Sequence, residues 1–579
     1  MSEYKEYIVT VKDFTDLDSF YEDMETSGGN LYIPHRQVEV ADRRPISRNT
    51  HYFLSDEEAT QLAADPRVLS VALTCSNLGI EARPLYSQSS LKWDKGFDND
   101  RNDHRNWGLY RCTLANQVSG WGWDGFSSAS GSIDVRQTGK NVDVIICDGH
   151  IDPTHPEFAV NSNGSGGSRV IQFNWFSLNA QYRGVSNSTY VYTPYVDPSY
   201  IDANNDGISD RTDDNNHGCH VAGIACGNTQ GWARDANIYN ISPYSTNPNS
   251  LPLDLIIDYI RYFHLNKPVN PLTGRKNPTI VNNSWGAFIS RSLRVITSLT
   301  YRGETKFAPI SSMYADSVGL RITQQTPGYT GGTATDYDAT FFTPVQSTAI
   351  EADIIDAIAE GIIFVGAAGN VAFKTVSSGH VDYNNFIQTT IPGLSTIFFN
   401  RACSPLGNDE TISVGAVSAE KIERKTNFSC TGPRVDVYAP GENIMSSLNT
   451  LPLGQTGTYD QRNDQYFISK LNGTSMASPQ VCGVLACALE VFPTWSQQGA
   501  KQYITSLAKT NKLTNEVTTY PDLYSLQGGN NRYLFYKNEK NVDSQIYPYN
   551  WYAANSGSNQ NGQIYPRPRI FSYGTQTPL

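Results

Sequence analysis

Apolar residues follow two different patterns along this chain of 579 residues. In the first 75 residues they form short alternating runs at 7–11 and 68–73, and this period of two is typical of strands. A helical pattern covers 16–24. Ser55 and Glu58 have the spacing of a capping box at the start of a second helix. The order β-α-β-β-α-β predicts a small α+β unit of the ferredoxin-like, split βαβ type over this segment.

From about residue 106 the apolar runs are continuous, rich in β-branched residues and separated by helical stretches. Such runs indicate a parallel sheet with helices on both faces. The predicted strands are 142–147, 237–241, 279–281, 362–365, 411–414 and 435–438. The predicted helices are 221–226, 253–263, 350–360 and 476–491. We therefore predict an α/β domain with a doubly wound, mostly parallel sheet over 106–540.

Three kinds of segment interrupt these patterns. Residues 76–105 are polar and irregular, which predicts a linker. Residues at about 158–214 and 287–349 are predicted to be long insertions in this α/β domain, the second rich in Thr, Tyr and Gly. The last segment, 541–579, has little periodicity and is predicted to be an extended tail.

Composition excludes several classes of function. The chain has 44 basic and 56 acidic side chains and a formal net charge of −12, which argues against nucleic-acid and membrane partners. Nine cysteines without a CxxC pair predict reduced thiols and no structural zinc. The polar start and the lack of a run of roughly 18 apolar residues predict no signal peptide and no membrane span. We expect an intracellular or particle-associated protein, with export by another route left open.

Four residues have the positions and chemistry of a serine nucleophile and its partners. Ser475 begins an apolar helical stretch, where unpaired N–H groups can receive an oxyanion. Asp148 follows an apolar strand, His217 precedes an apolar helix, and Asn370 ends a glycine-rich turn. Taken alone, each residue has a structural explanation. Ser475 can be a helix cap, Asp148 and Asn370 can be turn formers, and His217 can be a structural histidine. Together they are the set that peptide hydrolysis by serine requires, in the order Asp, His, Ser.

A calcium loop is the one metal signal in the sequence. Residues 202–213 fit the EF-hand spacing, although the last position is Asp rather than Glu. No clear pair of helices flanks the loop, and a solvated turn cluster is the alternative. The predicted Ca²⁺ ligands are Asp202, Asn204, Asp206, Ile208, Asp210 and Asp213.

The chain resembles the subtilisin-like serine proteases over roughly 105–535. The resemblance lies in three blocks: 146–152 with His155 and Pro156, the block 217–223, and the block 472–479. Supporting blocks are 106–109, 283–286, 367–370 and 439–441. The family usually has threonine where Cys219 stands, and the thiol predicts either mercurial sensitivity or, as we favour, a small buried side chain. Trp285 replaces a commoner aliphatic residue and is expected to narrow the substrate groove.

The resemblance implies a role for each residue of these blocks. Ser475 is the nucleophile, His217 the base and then the acid, and Asp148 its orienting partner. Asn370 and the Ser475 N–H receive the oxyanion. Substrate-binding residues are Ser284, Trp285 and Gly286, which pair with an extended peptide, and Ala367, Ala368 and Gly369, which form a pocket wall. No cofactor is required for the chemistry, and the partners are protein or peptide substrates.

Residues 1–75 resemble the inhibitory propeptide of the same family, through 56–62 and 65–68. This implies a zymogen that cuts itself between Cys75 and Lys92 and is inhibited by its own propeptide. A permanently attached small domain is the alternative. For the whole chain, the rivals are an inactive subtilase-fold binding or structural protein and an enzyme that hydrolyses esters or transfers acyl groups.

Overall fold

The computed structural model describes most of the N-terminal and central parts of the chain. The described residues are 4–32, 42–44, 46–84, 87–88, 107–113, 135, 137–175, 213–243, 252–324, 339–420, 422–448, 458–460, 462–515 and 523–537. The predicted tail at 541–579 and the predicted calcium loop, apart from the backbone of Asp213, lie outside them.

Strands outnumber helices in the described residues. The strands are β1 (Lys5–Val11), β2 (Asp42–Arg43), β3 (Asn49–Leu54), β4 (Val68–Leu73), β5 (Glu81–Pro84), β6 (Ser87–Gln88), β7 (Asp143–Cys147), β8 (Val170–Ile171), β9 (Asn237–Ile241), β10 (Thr279–Asn283), β11 (Trp285–Ser292), β12 (Ile296–Tyr301), β13 (Glu304–Phe307), β14 (Ile322–Gln324), β15 (Thr340–Pro344), β16 (Ile363–Ala367), β17 (Phe386–Thr389), β18 (Thr396–Phe398), β19 (Ile412–Val417), β20 (Val437–Pro440), β21 (Ile444–Leu448), β22 (Thr458–Asp460), β23 (Asn463–Asn472), β24 (Lys509–Thr510) and β25 (Arg532–Tyr533). The α-helices are α1 (Leu17–Glu25), α2 (Asp56–Ala63), α3 (Trp107–Cys112), α4 (Asp213–Cys226), α5 (Ile256–Asn266), α6 (Ser312–Ser317), α7 (Thr348–Ala359), α8 (Thr474–Val491) and α9 (Gln497–Leu507).

The N-terminal unit has the predicted β-α-β-β-α-β order. Its antiparallel sheet has the strand order β2-β3-β1-β4, and α1 and α2 follow β1 and β3 in the chain. The capping box of α2 is present: Ser55 Oγ accepts from the Glu58 N–H, and the Glu58 carboxylate accepts from the Ser55 N–H. Val9 and Phe20 are among its fully buried apolar residues.

A nine-stranded sheet forms the centre of the second unit, and the predicted α/β fold is confirmed. The strand order is β24-β25-β20-β19-β16-β10-β7-β9-β8, and every neighbouring pair except β24 with β25 is parallel. Strands β7, β10 and β16 are wholly buried, as expected for parallel strands covered on both faces. Helix α8 is buried along nearly its full length, which explains why its own residues are mostly apolar on every face of the helix.

All three internal segments that the sequence predicted to be irregular contain strands, and the predicted insertion at 158–214 contains β8. The predicted insertion at 287–349 contains most of β11, then β12 to β15 and α6. The predicted linker at 76–105 contains β5, which pairs antiparallel with β11, and β6, which pairs antiparallel with β23. Their strand character comes from pairing with distant residues, which the local polar and apolar pattern does not record.

The N-terminal unit packs on the main unit through helices α5 and α7. Apolar residues of both units form one buried cluster, including Tyr7 and Tyr52 of the first and Ile260 and Ile354 of the second. All nine cysteines are buried and unpaired. In the part of the chain that the structure describes, we find no helix with the length and apolarity to cross a bilayer.

Candidate active site

Three neighbouring parallel strands end at the same edge of the main sheet, and each is followed by a predicted site residue. Asp148 follows β7, Ser284 follows β10, and Asn370 comes three residues after β16. In the register of the sheet, Asn283 is opposite Cys147 on one side and Gly366 on the other. The sheet therefore brings residues that are far apart in the sequence to one edge.

Asp148 and His217 are in direct contact and wholly buried. The Nδ1 atom of His217 lies 2.6 Å from Oδ1 of Asp148, and both side chains have no exposed surface. The carboxylate accepts, so the ring N–H at Nδ1 donates to it, which leaves Nε2 to act as a base. The N–H of Gly149 also donates to the Asp148 carboxylate, at 2.7 Å.

A close approach of two backbones makes this contact possible. Gly218, next to His217 on α4, lies against the turn after Asp148, and a Cβ atom on Gly218 would come within 2.0 Å of the Gly149 oxygen. Asn240 holds the other side of the turn, since its Nδ2 donates to the Gly149 oxygen at 2.8 Å. Position 218 therefore needs glycine.

Ser475 lies in the first turn of α8 and is bound to Ser284 twice. The Ser475 hydroxyl donates to the backbone oxygen of Ser284 at 2.9 Å, and the Ser284 hydroxyl donates to the backbone oxygen of Ser475 at 2.9 Å. Pro479 has no N–H to donate to the oxygen of Ser475 four residues earlier, so that oxygen is open to the Ser284 hydroxyl. The proline thus permits the cross-link between α8 and the residue after β10.

Asn370 is held by Thr474, the residue before Ser475. Thr474 donates to Asn370 Oδ1 through its backbone N–H at 2.9 Å and its hydroxyl at 2.8 Å. The Thr474 hydroxyl in turn accepts from the Gly369 N–H at 3.1 Å. With Oδ1 taken, Nδ2 of Asn370 is buried and has no hydrogen-bond partner among the described residues. A donor in this state is available for an oxyanion.

The predicted groove residues divide into a strand and a wall. The backbone of Trp285 and Gly286 pairs with residues of the chain itself, Pro84 and Arg83. Ala367 is buried in a small apolar cluster, and Ala368 is largely buried. Gly369 has φ of +112°, which favours glycine.

The structure corrects the expectation for Trp285 and decides between the two alternatives for Cys219. The Trp285 indole is fully buried and donates to Cys147 Sγ at 3.3 Å, so it packs against β7 and does not narrow the groove. Cys219 is fully buried, its Sγ lies 3.7 Å from Ser447 Oγ, and burial raises the pKa of its thiol. This supports the small buried side chain and not a reactive thiol.

Several supporting residues had no role assigned from the sequence. Thr474 lies inside the nucleophile block, and its position beside Ser475 is the one signal that could have indicated it. Ser478 donates to Asn282 Oδ1 at 2.7 Å, and Asn282 Nδ2 donates to Ser284 Oγ at 2.9 Å, which extends the link between α8 and β10. These contacts join distant segments, so spacing in the sequence does not reveal them.

A buried ion pair links three segments of the main unit. The Glu157 carboxylate accepts from the N–H groups of Thr229 and Gln230 at 3.0 and 3.1 Å and pairs with Arg462. It therefore joins the segment after Asp148, the loop after α4 and the hairpin before Ser475. Buried carboxylates of this kind need several donors to offset their lost hydration.

The predicted metal ligands cannot be placed in the same way. Asp202, Asn204, Asp206, Ile208 and Asp210 lie outside the described residues, and of Asp213 only the backbone, at the start of α4, is described. Within the described ranges, no group of three or more His, Cys, Asp or Glu side chains is arranged to hold a metal ion. The calcium loop stays a prediction.

Comparison with known proteins gives related sequences. Subtilisin from Bacillus pumilus is 33% identical over 165 residues, which is 28% of this chain and 46% of that protein. Subtilisin E from Bacillus subtilis is 33% identical over 28% of this chain and 33% of its own length. The chain thus spans less than half the length of these relatives. Minor extracellular protease Vpr from Bacillus subtilis is 25% identical over 78% of this chain and 55% of that protein.

Two solved structures are also similar. Fervidolysin from Fervidobacterium pennivorans, a keratinolytic enzyme related to subtilisin, is 16% identical over 91% of this chain and 60% of that chain, with a TM-score of 0.47. A cold adapted subtilisin-like serine proteinase is 19% identical over 75% of this chain and 99% of that chain, with a TM-score of 0.41. The sequence model of the subtilase family matches residues 139–530, which is more than half of the chain. The chain therefore belongs to the subtilase family.

Proposed function

We propose that this protein is a serine endopeptidase with the triad Asp148, His217 and Ser475. The observation that carries the proposal is the buried contact of 2.6 Å between His217 and Asp148, at the sheet edge where Ser475 is bound to Ser284. A buried carboxylate fixes the ring orientation and stabilises the imidazolium that forms during catalysis. Membership of the subtilase family supports the same reaction.

The reaction has two steps. Ser475 Oγ attacks the carbonyl carbon of the substrate while His217 takes the hydroxyl proton, and the negative oxygen is received by Asn370 Nδ2 and the Ser475 N–H. His217 then gives the proton to the leaving amine, and an ester on Ser475 remains. Water, activated by His217, hydrolyses the ester. Before the first step, the Ser475 hydroxyl must break its hydrogen bond to the backbone oxygen of Ser284 and rotate toward His217.

Substrate binds through main-chain pairing with 284–286 and a pocket walled by 367–369. Pairing of an extended peptide with a strand gives affinity with little dependence on sequence. We propose protein or peptide substrates on this ground. The buried, unpartnered Nδ2 of Asn370 among the described residues supports the location of the oxyanion site beside this pocket.

A serine-directed fluorophosphonate tests the reaction. We expect the full chain to be labelled on Ser475 and to cleave members of a peptide library, and a Ser475→Ala variant to do neither. Ser506→Ala is the matched control, because Ser506 is an exposed serine of α9 whose hydroxyl donates to the backbone oxygen of Tyr503 on the same helix. A chain that is folded, unlabelled and inert toward the library would favour the inactive binding protein.

We also propose that the protein is made as a zymogen. The N-terminal unit acts as an inhibitory propeptide, because β5, which follows it in the chain, pairs with the backbone of Trp285 and Gly286 where a substrate is expected. Self-cleavage between Cys75 and Lys92 then separates the two units. The Ser475→Ala variant should accumulate at full length, whereas trimming of that variant in a protease-free background would refute self-processing.

A further inference from the structure

One side chain of β11 points toward the pocket wall formed by 367–369. Successive side chains of a strand lie on opposite faces. One face of β11 is buried in the apolar cluster that also contains residues of the N-terminal unit, and it carries Trp285, Ala287 and Ile289. Phe288, on the other face, packs with Ala367 in a separate buried cluster. Gly286 stands on the same face as Phe288, two residues away.

The ring of Phe288 lies between the two glycines of the predicted groove, Gly286 and Gly369. A Cβ atom on Gly286 would be 2.7 Å from Cε2 and 3.3 Å from Cζ of this ring. A Cβ atom on Gly369 would be 3.6 Å from the same Cζ atom. Carbon atoms in contact are about 3.5–4.0 Å apart, so one edge of the ring fills the width between the strand and the wall.

Two buried thiols lie against the same glycines. A Cβ atom on Gly286 would be 2.6 Å from Cys403 Sγ, and one on Gly369 would be 2.9 Å from Cys430 Sγ. Both cysteines are almost fully buried. The space beside each glycine is thus occupied by the ring on one side and by a sulfur atom on another.

Packing and pairing within the main unit hold the Phe288 ring in this place. The backbone of Phe288 is paired with Pro344 of β15. Its ring stacks on the ring of Phe342, with centroids 4.9 Å apart and planes inclined by 20°, and only 4% of the residue is exposed. Moving the ring out of the pocket would expose buried apolar surface and break the stack. A substrate side chain therefore meets a fixed obstacle.

The position of the ring is the one that a substrate side chain needs. In the proposed reaction the attacked carbonyl group lies between Ser475 and Asn370. Asn370 directly follows Gly369, and the Ser475 hydroxyl donates to the backbone oxygen of Ser284 at 2.9 Å. The residue that supplies this carbonyl therefore directs its side chain between the residues after Ser284 and the pocket wall, which is where the Phe288 ring lies.

We propose that Phe288 determines the substrate specificity, by restricting the residue before the cut bond to glycine, alanine or serine. This inference rests on the proposed function and adds its substrate class, proteins and peptides with a small residue at that position. A larger side chain has to displace a buried ring from a packed cluster, which is unfavourable. The size of a pocket discriminates between side chains by about 10–200-fold for each methylene group.

Peptide nitroanilides fix the bond that is cut and therefore test the pocket directly. The two substrates share one sequence and differ only in the last residue, which is alanine or phenylalanine. We expect the processed wild-type enzyme to cleave the alanine substrate with a kcat/KM at least tenfold higher. Phe288→Ala removes the ring, so this ratio should fall at least tenfold through faster cleavage of the phenylalanine substrate. Titration with the fluorophosphonate gives the concentration of reactive Ser475 in each preparation.

Phe341→Ala is the matched control. Phe341 lies in β15 next to Phe342, but it is buried in the cluster on the other face of this sheet. The control loses a buried ring of the same size without opening the pocket, so its ratio should equal that of the wild type. Phe288→Leu keeps a buried but shorter side chain, and it should shift the ratio in the same direction even if Phe288→Ala does not fold.

The outcomes separate this inference from the proposed function. Equal kcat/KM values for the two substrates in the wild type would overturn the inference and leave the protease intact. An unchanged ratio in the Phe288 variants would do the same, as would a ratio that falls equally in Phe341→Ala. A folded wild-type chain that is neither labelled on Ser475 nor able to cleave either substrate would overturn both.

Discussion

At the scale of single residues, the candidate oxyanion site depends on an amide whose orientation is fixed from one side. Thr474 gives two hydrogen bonds to Asn370 Oδ1, so the amide cannot turn its oxygen toward the substrate without losing both. Asn370 Nδ2 is then directed away from Thr474. Under the proposed function, Thr474 thereby orients a donor that is needed only in the transition state.

We expect Asn370→Ala to lower kcat with little change in KM, because the lost donor acts mainly on the transition state. In subtilisin, where this loss is already known, the cost is about 2.7–4 kcal/mol, and that magnitude is taken over rather than obtained from this structure. Steady-state kinetics on one peptide measures it. Thr474→Ser, which keeps both donors, is the control and should stay near the wild-type rate. Equal rates in Asn370→Ala and wild type would contradict the assignment of this amide.

At the scale of elements, helix α4 presents His217 to Asp148 because the helix lies unusually close to the turn after β7. The contact is made of backbone atoms, with Gly218 facing the Gly149 oxygen. Hydrogen bonds hold the turn from the other side, through Asn240 of β9. The close approach of α4 to this turn, held in place by Asn240, therefore sets the geometry of the pair Asp148 and His217.

We expect Gly218→Ala to push α4 away from the turn and to separate His217 from Asp148. A Cβ atom at 2.0 Å from a backbone oxygen has no flexible neighbour that can yield. Overpacking of this kind costs about 1–3 kcal/mol or more of folding stability. Thermal unfolding and fluorophosphonate labelling measure the two effects. Ala222→Gly on the same helix controls for a loss of stability alone, and it should label at the normal rate.

The sequence predicted elements well where local pattern decides them. The βαββαβ order, the capping box at Ser55 and the strands β7, β9 and β10 follow from periodicity and capping chemistry. The residues at the ends of these strands were predicted from the family blocks and strand positions. Strands β5 and β11 to β15 were missed, because short pieces such as Glu81–Pro84 become strands only by pairing with residues far along the chain.

At the scale of the whole molecule, a buried charge network holds the N-terminal unit on helices α5 and α7. Arg44 lies 3.0 Å from the Asp258 carboxylate, and both side chains are almost fully buried. Ser47 and Asn49 donate to the two oxygens of Asp353 at 2.7 and 2.9 Å. Arg261 adds a cation 3.8 Å from Asp353 on the side of the main unit.

We expect docking of the N-terminal unit to depend on pH through Asp353 of this network. Burial, followed by the nearby Asp258 charge, raises the pKa of Asp353 to about 7, whereas Arg44 and Arg261 act in the opposite direction. In the separated main unit water reaches the carboxyl, so its pKa is expected to fall toward the ordinary value of about 4. The docked state therefore binds more protons between about pH 4 and 7, and docking weakens as the pH rises through about 7.

We expect the processed N-terminal fragment to dissociate more readily at pH 8 than at pH 5.5. The wild-type chain is first allowed to process itself, and Ser475 is then inhibited with the fluorophosphonate. Gel filtration at each pH measures how much of the N-terminal fragment elutes separately from the main unit. Asp353→Asn, which has no charge at either pH, should reduce this difference. Asp356→Asn is the control, because it removes an ion pair with Arg48 at 3.0 Å and should weaken docking similarly at both pH values. An unchanged pH difference in Asp353→Asn would refute the role of this carboxyl.

The nine buried thiols give the protein an internal set of probes for local opening. They occur in the N-terminal unit, beside His217, behind the pocket wall and inside α8, as Cys75, Cys219, Cys403 and Cys482 do. A thiol that water cannot reach is alkylated only when its surroundings open, so the alkylation rate of each cysteine measures the free energy of that opening. Peptide mapping after timed alkylation would thus show which part of the protein opens first, without any introduced label.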